Sequence, residues 1–596
     1  MSYTAPIRDL MFAATELADL PGVNRLPGFE DATPELLRTI LEEAGKFASD
    51  ELAPLNRSGD KQGVRLEDGR AITADGWKAA YKKFVDGGWN SLPFDPLFGG
   101  QGLPWLAATA VAEIWHAANM SFSLCPLLTQ GAVGAIQTHG SDEQKSTYLP
   151  KLVSGEWSGT MNLTESQAGS DLGALTTRAV PQDDHYLLNG QKIFITYGDH
   201  DLAENIIHMV LARISDAPEG VKGISLFIVP KFLPDEKGNW TKRNDIETIA
   251  LESKLGIHAS PTATLAYGGK GGAVGYLIGG ENRGLHCMFT MMNLARQAVG
   301  VEGNGVAERA YQQAVAYANE RVQGQAVDAP DGGRVPIIHH PDVKRLLLQQ
   351  KCRIEALRSL SLWIAACMDN SARHIEGKAR ARAQAMVEVM TPVLKGYATE
   401  AGLENVSHAL QVHGGMGYIE ETGAAQHFRD QRITPIYEGT TGIQAMDLVG
   451  RKLIRDGGAM HAQVISRMRE DCAAAAKSES KEVAAMAKSL EEAIALLDAV
   501  AQEILSSSED PRLAAAVCEP YLRMWGVVAC GWQMARAAGV SAEKLAQKDD
   551  AFYRNKIRTA QFYFGAELPK AASFAASIRE SGRVIAETAP ELFQTE

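Results

Sequence analysis

Apolar and polar positions alternate with three different textures along the chain. From Thr33-Pro34-Glu35, an N-cap followed by proline at the first helical position, Leu36, Leu37, Ile40, Leu41, Ala44, Phe47 and Ala48 recur at helical spacing. The same period predicts helices near 74–87, 104–117, 123–138 and 142–153, with the loop Phe98-Gly99-Gly100-Gln101-Gly102 between the first two. Residues 1–30, punctuated by Pro6, Pro21, Gly22, Pro27 and Gly28, read as a loop-like arm lying on the body.

Near Trp157 the period changes. Short runs rich in β-branched residues at 176–180, 186–189, 191–195, 206–211, 224–229 and 263–267 predict strands. Asp183-Asp184 and Asn189-Gly190 supply turn signals between some of them. After Gly284 the helical period returns over longer stretches, 285–321, 342–368, 378–412 and 441–456, which together predict a four-helix bundle. The Gly- and Pro-containing interval 322–341 reads as a long loop. Beyond it, 483–501, 511–538 and 548–564 are amphipathic, and the last stretch can form another helix. The expected fold is therefore mainly α with a central β domain. Its parts are an N-terminal arm and helical domain over 1–155, a small antiparallel β domain over 156–280, a four-helix bundle over 281–456 and a C-terminal helical extension over 457–596.

Composition narrows the function more than the fold. A chain of 596 residues exceeds what one core holds, and 45% apolar with 22% charged residues is ordinary for a globular protein. A net charge of −13 disfavours nucleic acid and anionic membrane surfaces as partners. The 7 cysteines are scattered, with no CxxC pair, so neither a disulfide framework nor a thiolate metal site is expected. The N-terminus lacks the pattern of a signal or transit peptide, and no run of about 18 apolar residues suggests a membrane span. A cytoplasmic location is expected.

The candidate chemistry centres on 431–452, where Ile433-Thr434-Pro435-Ile436 leads into Tyr437-Glu438-Gly439-Thr440-Thr441 and a helical pattern follows. Thr440 or Thr441 can cap that helix. Glu438 then has two readings: a first-turn carboxylate complementing the helix dipole, or a buried carboxylate whose raised pKa makes it a proton acceptor. Four further stretches carry polar groups in suggestive settings. Met161-Asn-Leu163-Thr164-Glu-Ser-Gln-Ala-Gly169-Ser170-Asp171 is either a polar loop or a ligand-binding one, and Asn189–Thr196 reads as a hairpin. Arg296 sits in an apolar helix, where it needs an ion partner or a ligand, and Arg321 ends that helix. Gln411-Val-His413-Gly414-Gly415-Met-Gly417 is a helix C-cap or a phosphate-approaching turn, with His413 read as a helix-end histidine. No GxGxxG of a Rossmann unit, no HExxH and no Ser-His-Asp constellation is present, and no metal site is expected.

Taken together and in order, these five motifs resemble those of the acyl-CoA dehydrogenase family over about residues 35–455. The resemblance implies FAD as cofactor and an acyl-CoA as substrate. By that resemblance Glu438 is the base that removes the α-proton, and flavin N5 accepts hydride from Cβ. It places Met161, Leu163, Thr164, Gly169 and Ser170 against the flavin or its pyrophosphate, with Phe194, Thr196 and Thr440 also in the cofactor site. Arg321, Gln411, Gly414 and Gly415 reach the FAD of a neighbouring subunit. Ser170, Asn293, Arg296, Tyr437 and Gly439 face the substrate. The chain departs from the family pattern at Asn293, where Asp is common, at Phe194 in place of Trp, at Gly324 in place of an aromatic, and at Gly442 in place of Gln. Its size, its extension and the runs Asn319–Gly324 and Pro336–Pro341 look most like members acting on 3-methylmercaptopropionyl-CoA in dimethylsulfoniopropionate degradation. A short- or medium-chain fatty acyl-CoA dehydrogenase is the alternative, followed by an acyl-CoA oxidase or a catalytically silent scaffold. Electron-transfer flavoprotein as acceptor and a homodimer are the implied partners.

Overall fold

The computed structural model describes residues 3–329 and 332–594. The described part of the arm is not a loop. Ile7–Phe12 is helical, Ala13–Leu17 continues it as a π turn, and Leu20–Asn24 forms a further short helix. The prolines misled the sequence reading because they start these helices rather than break them: Pro6 directly precedes the first, and Pro21 lies in the first turn of the last, which Asp19 caps through Gly22 N–H at 3.0 Å. Leu10, Met11, Phe12 and Leu17 are buried.

Thr33 caps Pro34–Phe47 as expected, accepting from Leu36 N–H at 3.2 Å. The helices expected at 104–117 and 123–138 form one kinked element, α1 (Trp105–His139). The kink is at Asn119, at φ −160° and ψ 92°. Asn119 restarts the helix by accepting from Phe122 N–H at 3.1 Å, and its amide reaches back to the Leu52 carbonyl at 3.2 Å.

An eight-stranded sheet follows: β1 (Trp157–Asn162), β2 (Arg178–Pro181), β3 (Tyr186–Thr196), β4 (Asn205–Ile214), β5 (Ile224–Pro230), β6 (Ile246–Leu251), β7 (Thr262–Tyr267) and β8 (Ala273–Ile278). They pair in the order β6-β7-β3-β8-β5-β4-β1, with β2 against β3 and β4. All pairings are antiparallel except β1–β4 and β2–β4, which are parallel. β1 was not foreseen as a strand because both its faces are covered, so its sequence shows no alternation. Asn189-Gly190 is no hairpin turn: β3 runs through it, pairing with β8 before and β7 after. The β3–β7 register shifts between Ala263 and Leu265, and the bulge holds Phe194 at φ +60°.

The bundle is α2 (Gly284–Glu320), α3 (Pro341–Arg373), α4 (Gly377–Val412) and the shorter α5 (Thr441–Met446), which continues as a π-helical segment to Ile454. The interval expected as a loop contains a small hairpin, Val322–Gln325 with Arg334–Pro336; residues 330 and 331 lie outside the described ones. The extension holds five helices, Ala459–Ala475, Lys481–Ser506, α6 (Pro511–Gln547), α7 (Ala551–Ala566) and Lys570–Glu587. The first of them was missed in the sequence. By length and apolarity α6 could cross a membrane. Here it is a core helix: Tyr521, Trp525, Val528 and Trp532 share one apolar cluster with Leu394 and Tyr397 of α4 and Leu448 after α5. The extension is thus built into the bundle rather than appended to it.

Candidate functional site

Residues 434–441 form a tight corner between the end of Ala424–Gln431 and α5. Glu438 sits at φ +55° and Gly439 at φ +86°. A left-handed Glu is strained unless its surroundings fix it. Several groups do so. Lys395 on α4 donates to the carbonyls of Thr434 at 2.9 Å and Gly439 at 2.6 Å. The Gln444 amide donates to the carbonyls of Glu438 at 3.2 Å and Gly439 at 3.1 Å. Thr440 caps α5 by accepting from Ile443 N–H at 3.2 Å, the role expected for it or its neighbour. The Tyr437 hydroxyl donates a short hydrogen bond to Glu302 on α2.

The corner faces a cavity of about 940 Å³. Met161, Leu163, Thr164, Gly169, Ser170, Phe194 and Thr196 line it from the sheet side, Arg296 from α2, and Tyr437, Glu438, Gly439 and Thr440 from the corner. Twelve positions spread over two expected domains thus meet at one space. The bulge turns Phe194 outward into it, leaving that ring 58% exposed.

The features of this space suit a flat, polar-edged ring system. The hydroxyls of Thr164, Ser170 and Thr196 make no hydrogen bond among the described residues. A Cβ added at Gly169 would meet nothing within 4 Å, so the wall is open there. The backbone N–H of Glu438 is also without an acceptor among the described residues.

Burial dominates the electrostatics of the corner. It pushes Glu438 up to about 7, although Lys395 and Arg296 pull the other way. Burial lowers Lys395 to about 8, with Glu438 and Glu302 opposing. Arg296 is buried and pairs with Asp447 at 3.3 Å, so the ion-pair reading of that arginine holds and the side chain still lines the cavity. Glu302, Lys395 and Asp447 were missed in the sequence. The available signal was a lone charged residue inside an otherwise apolar or small-residue helical run, as in Ala-Val-Gly-Val-Glu302-Gly and Pro-Val-Leu-Lys395-Gly.

Family comparisons agree with this geometry. The acyl-CoA dehydrogenase N-terminal domain matches residues 34–156, the middle domain 160–268 and the C-terminal domain 282–453, and an acetyl-CoA dehydrogenase C-terminal-like domain matches 464–589. This chain is an acyl-CoA dehydrogenase. Among its relatives is a 3-methylmercaptopropionyl-CoA dehydrogenase of Ruegeria pomeroyi, 48% identical over 98% of this chain and 99% of the relative. A butyryl-CoA dehydrogenase of Syntrophomonas wolfei is 34% identical over 94% of each. An acyl-CoA dehydrogenase of Bacillus anthracis solved with FAD has the same fold, with a TM-score of 0.74, 21% identity, and 96% of this chain and 91% of that one covered. The chain is thus an FAD-dependent oxidoreductase acting on acyl-CoA.

Five expected site residues do not reach this dehydrogenase's cavity. Asn293 is exposed and is not part of the lining. Arg321, Gln411, Gly414 and Gly415 are also exposed and are not part of the lining. His413 is a packed helix-end residue, stacked on Tyr317 at 4.6 Å with Nδ1 at 2.7 Å from the Ala409 carbonyl.

Proposed function

We propose that the chain dehydrogenates an acyl-CoA thioester across Cα–Cβ, with 3-(methylthio)propanoyl-CoA as substrate and 3-(methylthio)acryloyl-CoA as product. The observation carrying the reaction is Glu438, strained into the cavity and held near neutrality in pKa by its burial. A carboxylate with that value accepts a proton far better than one at the ordinary value near 4.3 while remaining substantially ionised at neutral pH. It takes the α-proton; bound FAD supplies the acceptor for the hydride leaving Cβ. The free N–H of Glu438, at the mouth of α5, is available to the thioester oxygen as charge builds on it. Thr164, Ser170 and Thr196 offer hydroxyls to the cofactor's polar edge. Arg296 offers a buried cation to the CoA portion.

The sulfur-containing substrate is supported by the near full-length similarity to the Ruegeria relative. A linear short-chain acyl-CoA is the second reading, supported by the Syntrophomonas relative. Electron-transfer flavoprotein is the proposed acceptor of the electrons. A homodimer is proposed as well, in which the exposed Arg321, Gln411, Gly414 and Gly415 contact the partner's FAD.

Anaerobic titration of the purified flavoprotein with a panel of acyl-CoAs, following loss of the flavin's visible band, tests both parts. Preferential bleaching by 3-(methylthio)propanoyl-CoA is expected. Equal or better bleaching by butyryl-CoA moves the substrate to the second reading, and no bleaching by any acyl-CoA overturns the reaction.

A further inference from the structure

Glu302 is a buried carboxyl that the reaction above does not use. It lies on α2 with 0% exposure, and among the described residues its side chain's one hydrogen-bonding partner is the Tyr437 hydroxyl, on Oε2. Its other oxygen, Oε1, has no partner among the described residues. A buried carboxyl with one oxygen unpaired is costly when charged, and a lone hydrogen bond to a phenol does not offset that. Tyr437 is the chain neighbour of Glu438, and its ring packs among the apolar residues of the N-terminal helical domain.

We propose that Glu302 and Tyr437 form a positioning pair for Glu438: the buried carboxyl anchors the phenol, and the anchored phenol fixes the left-handed corner that aims the Glu438 carboxylate into the cavity. This rests on Glu438 being the base. The other ties on the corner, from Lys395 and Gln444, all grip backbone carbonyls on the α4 and α5 side. The Tyr437–Glu302 bond is the tie to α2, and α2 also carries Arg296. Without it the segment entering Glu438 keeps its α4 attachment and loses the one that sets its angle to the cavity.

Glu302 acts as the neutral acid. The charged and titratable groups facing it are Tyr437 and Glu438 from the corner and Lys395 from α4. Lys395 spends its hydrogen bonds on the Thr434 and Gly439 carbonyls, leaving Glu302 without a direct ion partner among the described residues. Burial first, and the neighbouring Glu438 charge second, push Glu302 up to about 8. A neutral Glu302 keeps the corner's hydrogen bond without placing a second negative charge beside the base.

The test uses the FAD-loaded full-length enzyme and stopped-flow flavin reduction by its best acyl-CoA across pH. Glu302→Ala and Tyr437→Phe are expected to lower the limiting reduction rate about tenfold or more, as a displaced base does, with KM changed less than about threefold. Tyr437→Phe keeps the ring and so serves if Glu302→Ala fails to fold. Glu302→Gln, which preserves a neutral acceptor for the phenol, is expected to restore the rate to within about threefold of wild type. Its acidic limb should stay where it was, because no charge has been removed. A wild-type rate in Tyr437→Phe overturns the positioning role. An acidic limb displaced downward by about one pH unit in Glu302→Gln overturns the neutral state. Glu438→Gln is run alongside: retained flavin reduction there sinks the base reading itself, and full loss there with unchanged Tyr437→Phe sinks only the pair.

Discussion

Arg523 of α6 pairs with Glu400 of α4 at 3.2 Å, and Glu400 accepts a hydrogen bond from the Thr441 hydroxyl at 2.8 Å. Thr441 opens α5, three residues after Glu438, so the extension reaches the segment following Glu438 through Glu400. Arg523 also holds Glu519 at 2.6 Å and Glu404 at 3.5 Å, and it is 24% exposed, so each ion pair contributes at most about 1 kcal/mol to stability. Arg523→Ala should therefore cost little in thermal midpoint while lowering the flavin reduction rate by about threefold, since it frees Glu400 from its outer anchor. Stopped-flow reduction alongside a melting curve checks this; a large drop in midpoint with an unchanged rate would make the arginine purely structural.

Glu438 must be ionised to accept a proton, and its pKa lies at about 7. The kcat/KM profile should accordingly fall as pH drops through about 7, about tenfold per unit below it. Glu438→Gln should lose about 10²- to 10⁴-fold in flavin reduction while keeping the bound flavin's visible band. An acidic limb near 4 would mean that the carboxylate is not buried in the working enzyme.

Asp9, in the arm, accepts from both Arg358 of α3 and Lys556 of α7. These cations hold its carboxyl well below the usual carboxylate range, against the effect of burial. Asp9→Asn removes one anion from a cluster in which Arg358 keeps Glu113 and Glu308 and Lys556 keeps Glu355, and should destabilise the fold by about 1.5–3 kcal/mol, read as a lowered denaturant midpoint. The sign with pH follows from the depressed value. The stabilisation is complete above the ordinary carboxylate pKa and is lost only as pH falls through the lower folded one. The variant should lose that component of acid sensitivity.

Gly526 on α6 has no room for a side chain. A Cβ there would lie 2.0 Å from Cγ of Tyr397 on α4. Gly526→Ala should push α6 off the bundle and cost about 1–3 kcal/mol. Adding Tyr397→Ala should recover part of the loss, because the clash is with that ring. A midpoint in the double variant lower than the sum of the two single effects would contradict this.

Much of the site could be read from the chain because its residues lie in short contiguous runs. Met161–Ser170, Phe194–Thr196 and Tyr437–Thr440 each carry several cavity residues, so motif order alone brought them together. Residues whose importance depends on distant partners were invisible. Glu302 matters through Tyr437, and Lys395 through the Gly439 carbonyl, contacts that helical periodicity does not encode. The same holds for the fold. The helix beginning at Thr33 announced itself by its cap, whereas Asn189-Gly190 carried a turn signal that sheet pairing on both sides overrode.

The Asp9–Lys556 contact joins residues 547 positions apart. On the ribosome, Asp9 emerges long before its cationic partner Lys556. Synthesis at about 5–20 residues per second leaves the Asp9 carboxylate waiting on the order of a minute for that partner. During that wait it stays hydrated, and the Arg358 it will share lacks its full complement of anions. Docking of α7 then completes this cluster, so a segment made late closes over one made early.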